Sequence, residues 1–408
     1  MTRFGGFSPD NLSVYACLCD YTSYQDKYRM FARMAELGPR VYMFLLWGEH
    51  PRDLKVCANF RQMPPFNCGW KNGRWGALKS LLREHWDPAR PSVTHDYVLP
   101  EVGLGLRHRW TLTRRPLVRN IVTMVSPVIE YFVTGEWAPR DSVPLMWKEY
   151  LYYLVGWTWQ YCTVEAGSAY MADGIACNTE GIIRSLRRHL GIRGKPVEFV
   201  PDEIDTRLWR PVKGDRAGLG LSEKGPILLF VGNLMRRKGF DIAIRALALV
   251  RQKHPNAKLV VRGRLEETKT EWFREVIQET ATGDAVIFMG KMPFEKLLTL
   301  YCSADMLILP TRHEGSPRVV KEGMACGIPI VTSPISGNRA SDPDEEALVI
   351  VDTWSPKDYA EAVERVLDDR DFARARGEAG IRVARNKFSL DRVARLNLDF
   401  YQKVFAVT

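Results

Sequence analysis

The second half of the sequence contains short, continuous apolar runs that alternate with longer segments of helical periodicity. None of the runs alternates between apolar and polar residues, so each predicts a strand that is buried on both faces. The predicted strands are Ile227–Val231, Lys258–Val261, Val286–Met289, Met306–Leu309, Ile328–Thr332 and Leu348–Val351. The helical segments between them include Asp241–Lys253, Phe294–Ser303 and Pro317–Cys326. Strands and helices in this alternation predict a doubly wound α/β domain with a parallel sheet.

The first half repeats this rhythm less clearly. A helix is predicted from Tyr24 to Leu37, with Thr22 or Ser23 as its cap. Strands are predicted at Leu12–Cys19, Val41–Trp47, Val93–Thr94, Asn120–Val125, Ala172–Asn178 and Val197–Val200. Because 408 residues suffice for two hydrophobic cores, we predict two similar Rossmann-like domains that face each other across a cleft. Their predicted bounds are residues 1–202 and 203–385, and a C-terminal helix over 386–408 is expected to pack back on the first domain.

Charge and apolar content restrict the class of protein. A net charge of +10 predicts contact with an anion: nucleotide phosphates, an anionic membrane face or nucleic acid. The most apolar windows, Ile121–Val133 and Tyr150–Trp159, are too short to span a bilayer. The first ten residues lack a signal-peptide pattern, and the eight cysteines lack zinc-ligand spacing. We therefore expect a cytoplasmic protein with reduced thiols and no metal site.

Two glutamates bracket one of the predicted helix starts. Glu314 follows a predicted strand, Ser316 fits the N-cap position, and Pro317 fits the first helical position. Glu322 lies inside the same helix, which should end at Gly327. The amino end of such a helix is suited to a diphosphate, and ligands of these sheets bind at the carboxyl ends of the strands. The pattern predicts that the two carboxylates flank a bound nucleotide diphosphate-sugar, one near the sugar and the other near the ribose.

Basic residues follow another predicted strand. Gly232 allows a tight turn and a close backbone approach to a ligand, and Arg237 and Lys238 come shortly after it. Cations at this edge of the sheet suit a departing diphosphate, whose negative charge grows as the glycosidic bond breaks. The alternative interpretation is a solvated basic turn. The position of this basic segment beside the glutamate pair favours the interpretation as a phosphate site.

Three segments in the same order carry a family resemblance. EGSPRVVKEGMACGIPIV, from Glu314 to Val331, resembles the signature of family 4 retaining glycosyltransferases, which have the GT-B fold of two Rossmann-like domains. FVGNLMRRKGFD, from Phe230 to Asp241, resembles the family's phosphate-binding loop. VPDEIDTRLWRP, from Val200 to Pro211, resembles the segment that joins the two domains. The resemblance implies a hexosyl transfer from a sugar nucleotide, with no cofactor and no metal.

The resemblance also implies roles for individual residues. Glu314 would position the sugar, Arg237 and Lys238 would stabilise the diphosphate, and Glu322 would anchor the ribose. The acceptor's proton would pass to a phosphate oxygen on the face from which the nucleotide departs. Relatives often carry Arg directly after the glycine of the loop, where this chain has Asn233. The further donor-binding candidates are Gly232, Asn233, Met292, Gly315, Ser316, Arg318 and Val319.

The acceptor side is less determined. Many relatives place a histidine near the sugar, and His95 at a predicted strand end is the candidate here, with a structural hydrogen-bonded histidine as the alternative. Aromatic and basic residues alternate from Trp70 to Trp86, and arginines follow in 107–119 and 184–193. They suit an anionic membrane surface with a lipid-linked acceptor, a soluble acceptor such as a glycan or natural product, or plain solubility. A GT-B phosphorylase and a non-catalytic polyanion binder are the rival functions; we expect no nucleic-acid partner.

Overall fold

The chain folds into two compact units, each built on a parallel sheet. The computed structural model describes residues 8–18, 25–45, 49–52, 54–63, 87, 89–97, 118–124, 166–188, 190–232, 234, 236–263, 271–312 and 314–407. Among these, the first unit holds the residues up to Glu203 and those from Leu390 onward, and the second holds Ile204–Ser389. No helix within these ranges is long and apolar enough to cross a bilayer. The predicted cap residues Thr22 and Ser23 lie outside the described residues.

The first unit contains a seven-stranded parallel sheet of order β3-β2-β1-β4-β5-β6-β7. Helix α1 (Gln25–Glu36) packs against the C-terminal helix α11 (Leu390–Ala406), and their apolar faces share one core with the strands. Strand β3 was not predicted, because its three residues, two of them exposed, give no apolar run. The strands are β1 (Ser13–Leu18), β2 (Arg40–Leu45), β3 (Phe60–Gln62), β4 (Ser92–Tyr97), β5 (Val118–Met124), β6 (Gly174–Cys177) and β7 (Val197–Phe199).

The second unit contains a six-stranded parallel sheet of order β10-β9-β8-β11-β12-β13. All residues of β8 and β11 are buried, as the continuous apolar runs predict for strands covered on both faces. The strands are β8 (Ile227–Val231), β9 (Lys258–Arg262), β10 (Val286–Phe288), β11 (Met306–Leu309), β12 (Ile330–Thr332) and β13 (Leu348–Ile350). Their bounds differ from the predicted ones by at most two residues at either end.

The remaining helices of the described residues cover these sheets. In the first unit they are α2 (Ala166–Met171) and α3 (Glu180–Arg188). In the second unit they are α4 (Phe240–Lys253), α5 (Glu271–Glu279), α6 (Phe294–Ser303), α7 (Arg318–Cys326), α8 (Ser336–Ser341), α9 (Pro356–Asp368) and α10 (Arg370–Val383). Both units are therefore α/β domains with a parallel sheet, and in the second unit strand and helix alternate as in a doubly wound domain.

The chain passes between the units slightly later than predicted. Lys27 on α1 forms an ion pair with Glu203 (Nζ to Oε2, 2.6 Å), which keeps Glu203 with the first unit. The next residue, Ile204, donates its N–H to the carbonyl of Phe388 at 2.8 Å and pairs with Ser389 in a parallel bridge. This contact joins the outgoing and returning segments within the second unit. The described helix that returns to the first unit accordingly begins at Leu390, after the predicted residue 386.

His95 does not have the environment that a catalytic residue needs. It lies in β4 with no exposed surface, and its ring contacts Phe31 edge to face. Its Nδ1 is 2.5 Å from the Tyr401 hydroxyl and its Nε2 is 2.6 Å from the Thr123 hydroxyl. Burial lowers the pKa of His95 to about 3, so the ring is neutral at physiological pH. The proposed catalytic role is not supported: both ring nitrogens are used inside the core, as in the structural alternative.

The buried ring of His95 should make stability pH-dependent. Its pKa is about 3 in the fold against an ordinary 6.5, so only the unfolded chain binds this proton between those values. The part of the unfolding free energy that depends on a neutral His95 is therefore fully present above pH 6.5, and it is lost progressively as the pH falls toward about 3. We expect wild type to lose about 2 kcal/mol more unfolding free energy than His95→Gln between about pH 7.5 and about pH 5. Urea unfolding at both pH values measures this, and identical pH slopes for the two proteins would contradict it.

Candidate active site

The strand order of the second unit creates a topological switch point between β8 and β11. From this central pair the chain winds outward to β10 on one side and to β13 on the other. In sheets of this kind, the crevice outside the carboxyl ends of the central strands is where ligands bind. The segments that follow β8 and β11 carry Gly232, Arg237 and Lys238 on one side and Glu314 on the other. The fold therefore brings the two predicted donor-site segments to the same edge.

A glycine allows these two segments to touch. After β8 the chain forms a short 3₁₀ turn at Arg236–Lys238, and α4 starts after Gly239. Gly239 has a φ of 71°, and a Cβ atom placed on it would overlap the carbonyl oxygen of Pro310. Any other residue would push the two loops apart. The close approach fixes the distance between the segment after β8 and the segment after β11.

Hydrogen bonds then lock the two segments together. The carbonyl of Arg237 accepts the backbone N–H of Arg312 at 2.8 Å and the hydroxyl of Thr311 at 3.1 Å. The Arg312 guanidinium, largely buried, donates to both carboxylate oxygens of Asp241 at 2.8 and 2.7 Å. We call Arg312 and Asp241 the loop clamp. It holds the backbone on both sides of the candidate site and leaves the side chains of Arg237 and Glu314 directed to each other.

Glu314 forms an ionic cluster with the two cations. Its Oε1 accepts a hydrogen bond from Arg237 at 3.0 Å and forms an ion pair with the Lys238 ammonium. The side chains of Glu314 and Lys238 are 13% and 14% exposed, whereas that of Arg237 is 36% exposed. Burial lowers the pKa of Lys238, the Glu314 carboxylate opposes this, and Arg237 adds to the lowering. An additional anion at this place would favour the charged form of the lysine.

Gly232 lies next to this cluster. A Cβ atom on Gly232 would be 3.8 Å from Cε of Lys238, so the lysine side chain runs along the backbone at the end of β8. The φ of Gly232, 151°, is also a conformation that residues other than glycine rarely adopt. Asn233, which directly follows, lies outside the described residues.

Helix α7 begins differently from the prediction. Its first helical residue is Arg318 and Pro317 is the N-cap, so the predicted capping role of Ser316 is wrong. The hydroxyl of Ser316 instead accepts a hydrogen bond from Lys321 Nζ at 2.6 Å. Lys321 is 2% exposed and its ammonium lies 5.0 Å from the centre of the Phe388 ring. The predicted end of the helix is confirmed, because Gly327 adopts the left-handed conformation that closes it.

Glu322 is held by two partners in the fold. Tyr301 on α6 donates its hydroxyl to Oε2 at 2.7 Å, and Arg318 donates Nε to Oε1 at 3.0 Å. Burial, together with the Glu322 carboxylate, raises the pKa of Tyr301 well above its usual range, so the phenol remains a donor. Glu322 is 7% exposed, whereas the side chain of Arg318 is 44% exposed. Solvent therefore reaches Arg318, whereas Glu322 is buried.

The other donor candidates lie in segments at the same edge of the sheet. Gly315 packs against α8, since a Cβ on Gly337 would overlap its carbonyl oxygen. Val319 is half-buried on α7, and Met292 is half-buried in the loop after β10, where it packs against the core. None of these three residues has a side-chain hydrogen-bond donor, so any hydrogen bond that they donate to a nucleotide would come from the backbone.

Four residues of this site were not predicted: Asp241, Arg312, Tyr301 and Lys321. Asp241 and Arg312 stand near the ends of β8 and β11, and opposite charges at those two places are a signal that could have indicated the loop clamp. Tyr301 and Lys321 give no such signal. The partner of Tyr301 is distant in the sequence, and only the packing of α7 turns Lys321 inward.

Comparison with known proteins shows the family to which the chain belongs. The family described as Glycosyl transferases group 1 matches residues 212–383. A D-inositol 3-phosphate glycosyltransferase of Salinispora tropica is 30% identical over 394 residues, which cover 92% of this chain and 76% of that protein. The chain belongs to this glycosyltransferase family. A protein of the same name from Acidothermus cellulolyticus is 34% identical over 284 residues, 67% of this chain, and the match spans only 59% of that relative.

Solved structures show the same fold. Sucrose-phosphate synthase from Thermosynechococcus elongatus superposes with a TM-score of 0.71 at 21% identity, covering 97% of this chain and all of the other (100%). Anabaena HepE, solved in complex with UDP-glucose, has a TM-score of 0.68 at 12% identity and covers 96% of this chain and 99% of the other. At this identity the likeness concerns the fold alone. The prediction of a GT-B protein with two Rossmann-like units is confirmed.

The loop clamp should contribute strongly to stability. In Asp241→Asn the largely buried Arg312 loses its carboxylate, and we expect unfolding free energy to fall by about 3 kcal/mol. The control is Glu361→Gln, which breaks an exposed pair with Lys357 and should cost less than about 1 kcal/mol. Urea unfolding of both variants and wild type provides the comparison. Equal losses in the two variants would show that the clamp is only a surface pair.

Proposed function

We propose that this protein is a retaining, metal-independent glycosyltransferase that moves a hexosyl group from a nucleoside diphosphate sugar to a glycan, lipid-linked sugar or natural product. The observation that carries the proposal is the cluster of Glu314, Arg237 and Lys238 at the carboxyl ends of the two central strands. Glu314 lies in the segment that precedes α7, whereas Arg237 and Lys238 lie in the turn that precedes α4. Family membership supports the reaction class.

The cations suit the leaving group. Arg237 and Lys238 share one carboxylate, so the cluster has an excess of positive charge that a diphosphate would neutralise. Fixed cations that meet developing negative charge stabilise a transition state without reorganisation. Two side-chain cations can supply the charge that a divalent metal supplies elsewhere. HepE was solved with UDP-glucose bound, which supports a sugar nucleotide as donor.

Glu314 is better placed as a positioning group than as a nucleophile. Its Oε1 is engaged by both cations, which reduces the electron density that it could offer to an anomeric carbon. Once the diphosphate takes over the cations, the carboxylate can accept hydrogen bonds from sugar hydroxyls. An oxocarbenium-like sugar then receives the acceptor on the face that the nucleotide leaves. A phosphate oxygen takes the acceptor's proton.

Glu322 would bind the ribose, and Arg318 would move away from the carboxylate when the ribose binds. Because Tyr301 fixes one oxygen from the buried side, the other oxygen is the one that can exchange partners. Arg318 is the exposed partner and can rotate away, or toward the diphosphate, without disturbing the core. The arrangement leaves one carboxylate oxygen for the ribose diol.

The acceptor is proposed by class only. The relatives from Acidothermus and Salinispora are named for D-inositol 3-phosphate, and a phosphorylated cyclitol is therefore one acceptor to test. The first aromatic and basic stretch, Trp70 to Trp86, lies outside the described residues. In the second stretch, Arg119 is described, and it is 9% exposed in β5 instead of forming part of a surface patch.

The donor site can be tested without knowing the acceptor. In EDTA, we expect one of UDP, GDP, ADP and dTDP to raise the melting temperature, because a ligand that binds only the folded state stabilises it by mass action. Lys238→Ala should abolish the shift, while Lys357→Ala, which removes an exposed lysine, should keep it. Glu314→Gln should keep the shift yet lose at least about a hundredfold in sugar transfer.

Three results would contradict the proposal. One is a panel in which no nucleotide stabilises the protein without added metal. Another is normal transfer by Glu314→Gln. The third is salt-sensitive binding of long nucleic acid with no sugar-nucleotide turnover, which would favour the polyanion binder.

We also propose that the first unit docks on an anionic membrane through α3. Arg184, Arg187 and Arg188 are exposed on this helix, and Arg193 is exposed shortly after it. Lys195 is not part of this surface, because its ammonium bonds to carbonyls at the end of α2, including that of Ala169. At about 1 kcal/mol per arginine, replacing the three helical arginines by Ala should weaken binding to phosphatidylserine vesicles by about a hundredfold. Vesicle sedimentation measures this, and equal binding to phosphatidylcholine vesicles would refute the electrostatic mechanism.

A further inference from the structure

Arg262 is the last residue of β9, and the proposed reaction does not use it. Its carbonyl oxygen accepts the backbone N–H of Gly232 at 2.9 Å, and within the sheet it pairs with Val231 of β8. Because neighbouring parallel strands end at the same edge, Arg262 lies beside the glycine of the candidate donor site.

The side chain of Arg262 differs from the neighbouring arginines in its partners. Arg237, Arg312 and Arg318 lie at the same edge, and each donates a hydrogen bond to a carboxylate of the protein. Arg262 is half-buried and its Nε is buried, yet within the described part of the chain it has neither an acceptor for Nε nor an ion pair. A buried donor without a protein acceptor is costly, because nothing replaces its lost hydration. Such a group is suited to an acceptor that a ligand supplies.

The order of the strands indicates which part of the donor meets this arginine. β9 lies between β8, whose following segment holds the cations for the diphosphate, and β10, which Met292 follows. Neighbouring strands are about 4.8 Å apart, so a nucleotide that extends from the cations toward Met292 crosses the end of β9. Arg262 is then beside the nucleoside, one strand away from the diphosphate.

An electrostatic interaction agrees with this placement. Burial and the Glu322 carboxylate raise the pKa of Tyr301, and the positive charge of Arg262 partly opposes this. Tyr301 donates its hydroxyl to Glu322 at 2.7 Å, so the charge of Arg262 acts on the side of the site that is proposed for the ribose. The position of Arg262 itself is fixed by its pairing with Val231 in the sheet.

We infer that Arg262 donates hydrogen bonds to a carbonyl oxygen of the donor's base, and thereby selects uracil, thymine or guanine over adenine. The inference rests on the proposed function. A guanidinium can only donate hydrogen bonds. Guanine and the pyrimidines uracil and thymine offer carbonyl oxygens, whereas adenine has an amino group, itself a donor, in place of the guanine carbonyl. With adenine, the buried donor of Arg262 would therefore lack this acceptor.

The inference is tested on the full chain by titration calorimetry. We expect the nucleoside diphosphate that stabilises wild type to be UDP, GDP or dTDP. Arg262→Met should bind that nucleotide at least about tenfold more weakly. Its affinity for ADP and for inorganic pyrophosphate should not fall, because neither ligand has a carbonyl oxygen. The matched control is Arg274→Met, which removes an exposed arginine of α5 and should bind every ligand as wild type does.

Arg262→Gln provides a second variant in case the first does not fold. Its side-chain amide can accept a hydrogen bond from the adenine amino group as well as donate one. The ratio of the affinity for the stabilising nucleotide to that for ADP should therefore fall by at least about tenfold. A loss of stability alone would weaken all ligands together and would leave this ratio unchanged.

Four results would overturn the inference. They are stabilisation of wild type by ADP alone, unchanged nucleotide affinity in Arg262→Met, an unchanged ratio in Arg262→Gln, and an equal loss of pyrophosphate and nucleotide affinity in Arg262→Met. The last result would make Arg262 a ligand of the diphosphate. In each of these cases wild type still binds a nucleoside diphosphate, so the proposed function stands. If wild type binds none, the proposed function fails and the inference fails with it.

Discussion

The second unit depends on one electrostatic arrangement: two neighbouring cations, Arg237 and Lys238, held at the edge of its sheet by a single carboxylate. Burial is the main cause of the lowered pKa of Lys238, and the neighbouring charge of Arg237 adds to the lowering. Glu314 offsets the repulsion in the folded chain. Under the proposed function, the diphosphate of the donor would offset the repulsion further, so the same arrangement would favour its binding.

The backbone around this cluster is built to keep it in place. Gly239 brings the loop after β8 against Pro310, and the loop clamp then ties Arg312 to Asp241. Tyr301 on α6 donates a hydrogen bond to Glu322 on α7 and holds its carboxylate in place. The charged groups of the site are thus fixed by contacts that are themselves buried. This is how a site on loops acquires the rigidity of the sheet.

The first unit uses the same strand order without the same chemistry. Its central strands β1 and β4 place His95 in the interior, where Tyr401 from the C-terminal helix and Thr123 from β5 take both ring nitrogens. A histidine near a strand end looked like a ligand-facing residue in the sequence. Whether such a residue faces a ligand or the core depends on the side of the strand that it occupies.

The sequence by itself determined the strands of the second unit, the end of α7 at Gly327 and the grouping of Glu314 with Arg237 and Lys238. Continuous apolar runs and the rule that parallel strands share one carboxyl edge are local or topological properties, and they need no packing detail. Only the tertiary structure decided that Ser316 accepts a bond from Lys321, that Glu322 rests on Tyr301 and that His95 is buried. Those outcomes depend on which side chains from distant segments meet, and periodicity does not encode that.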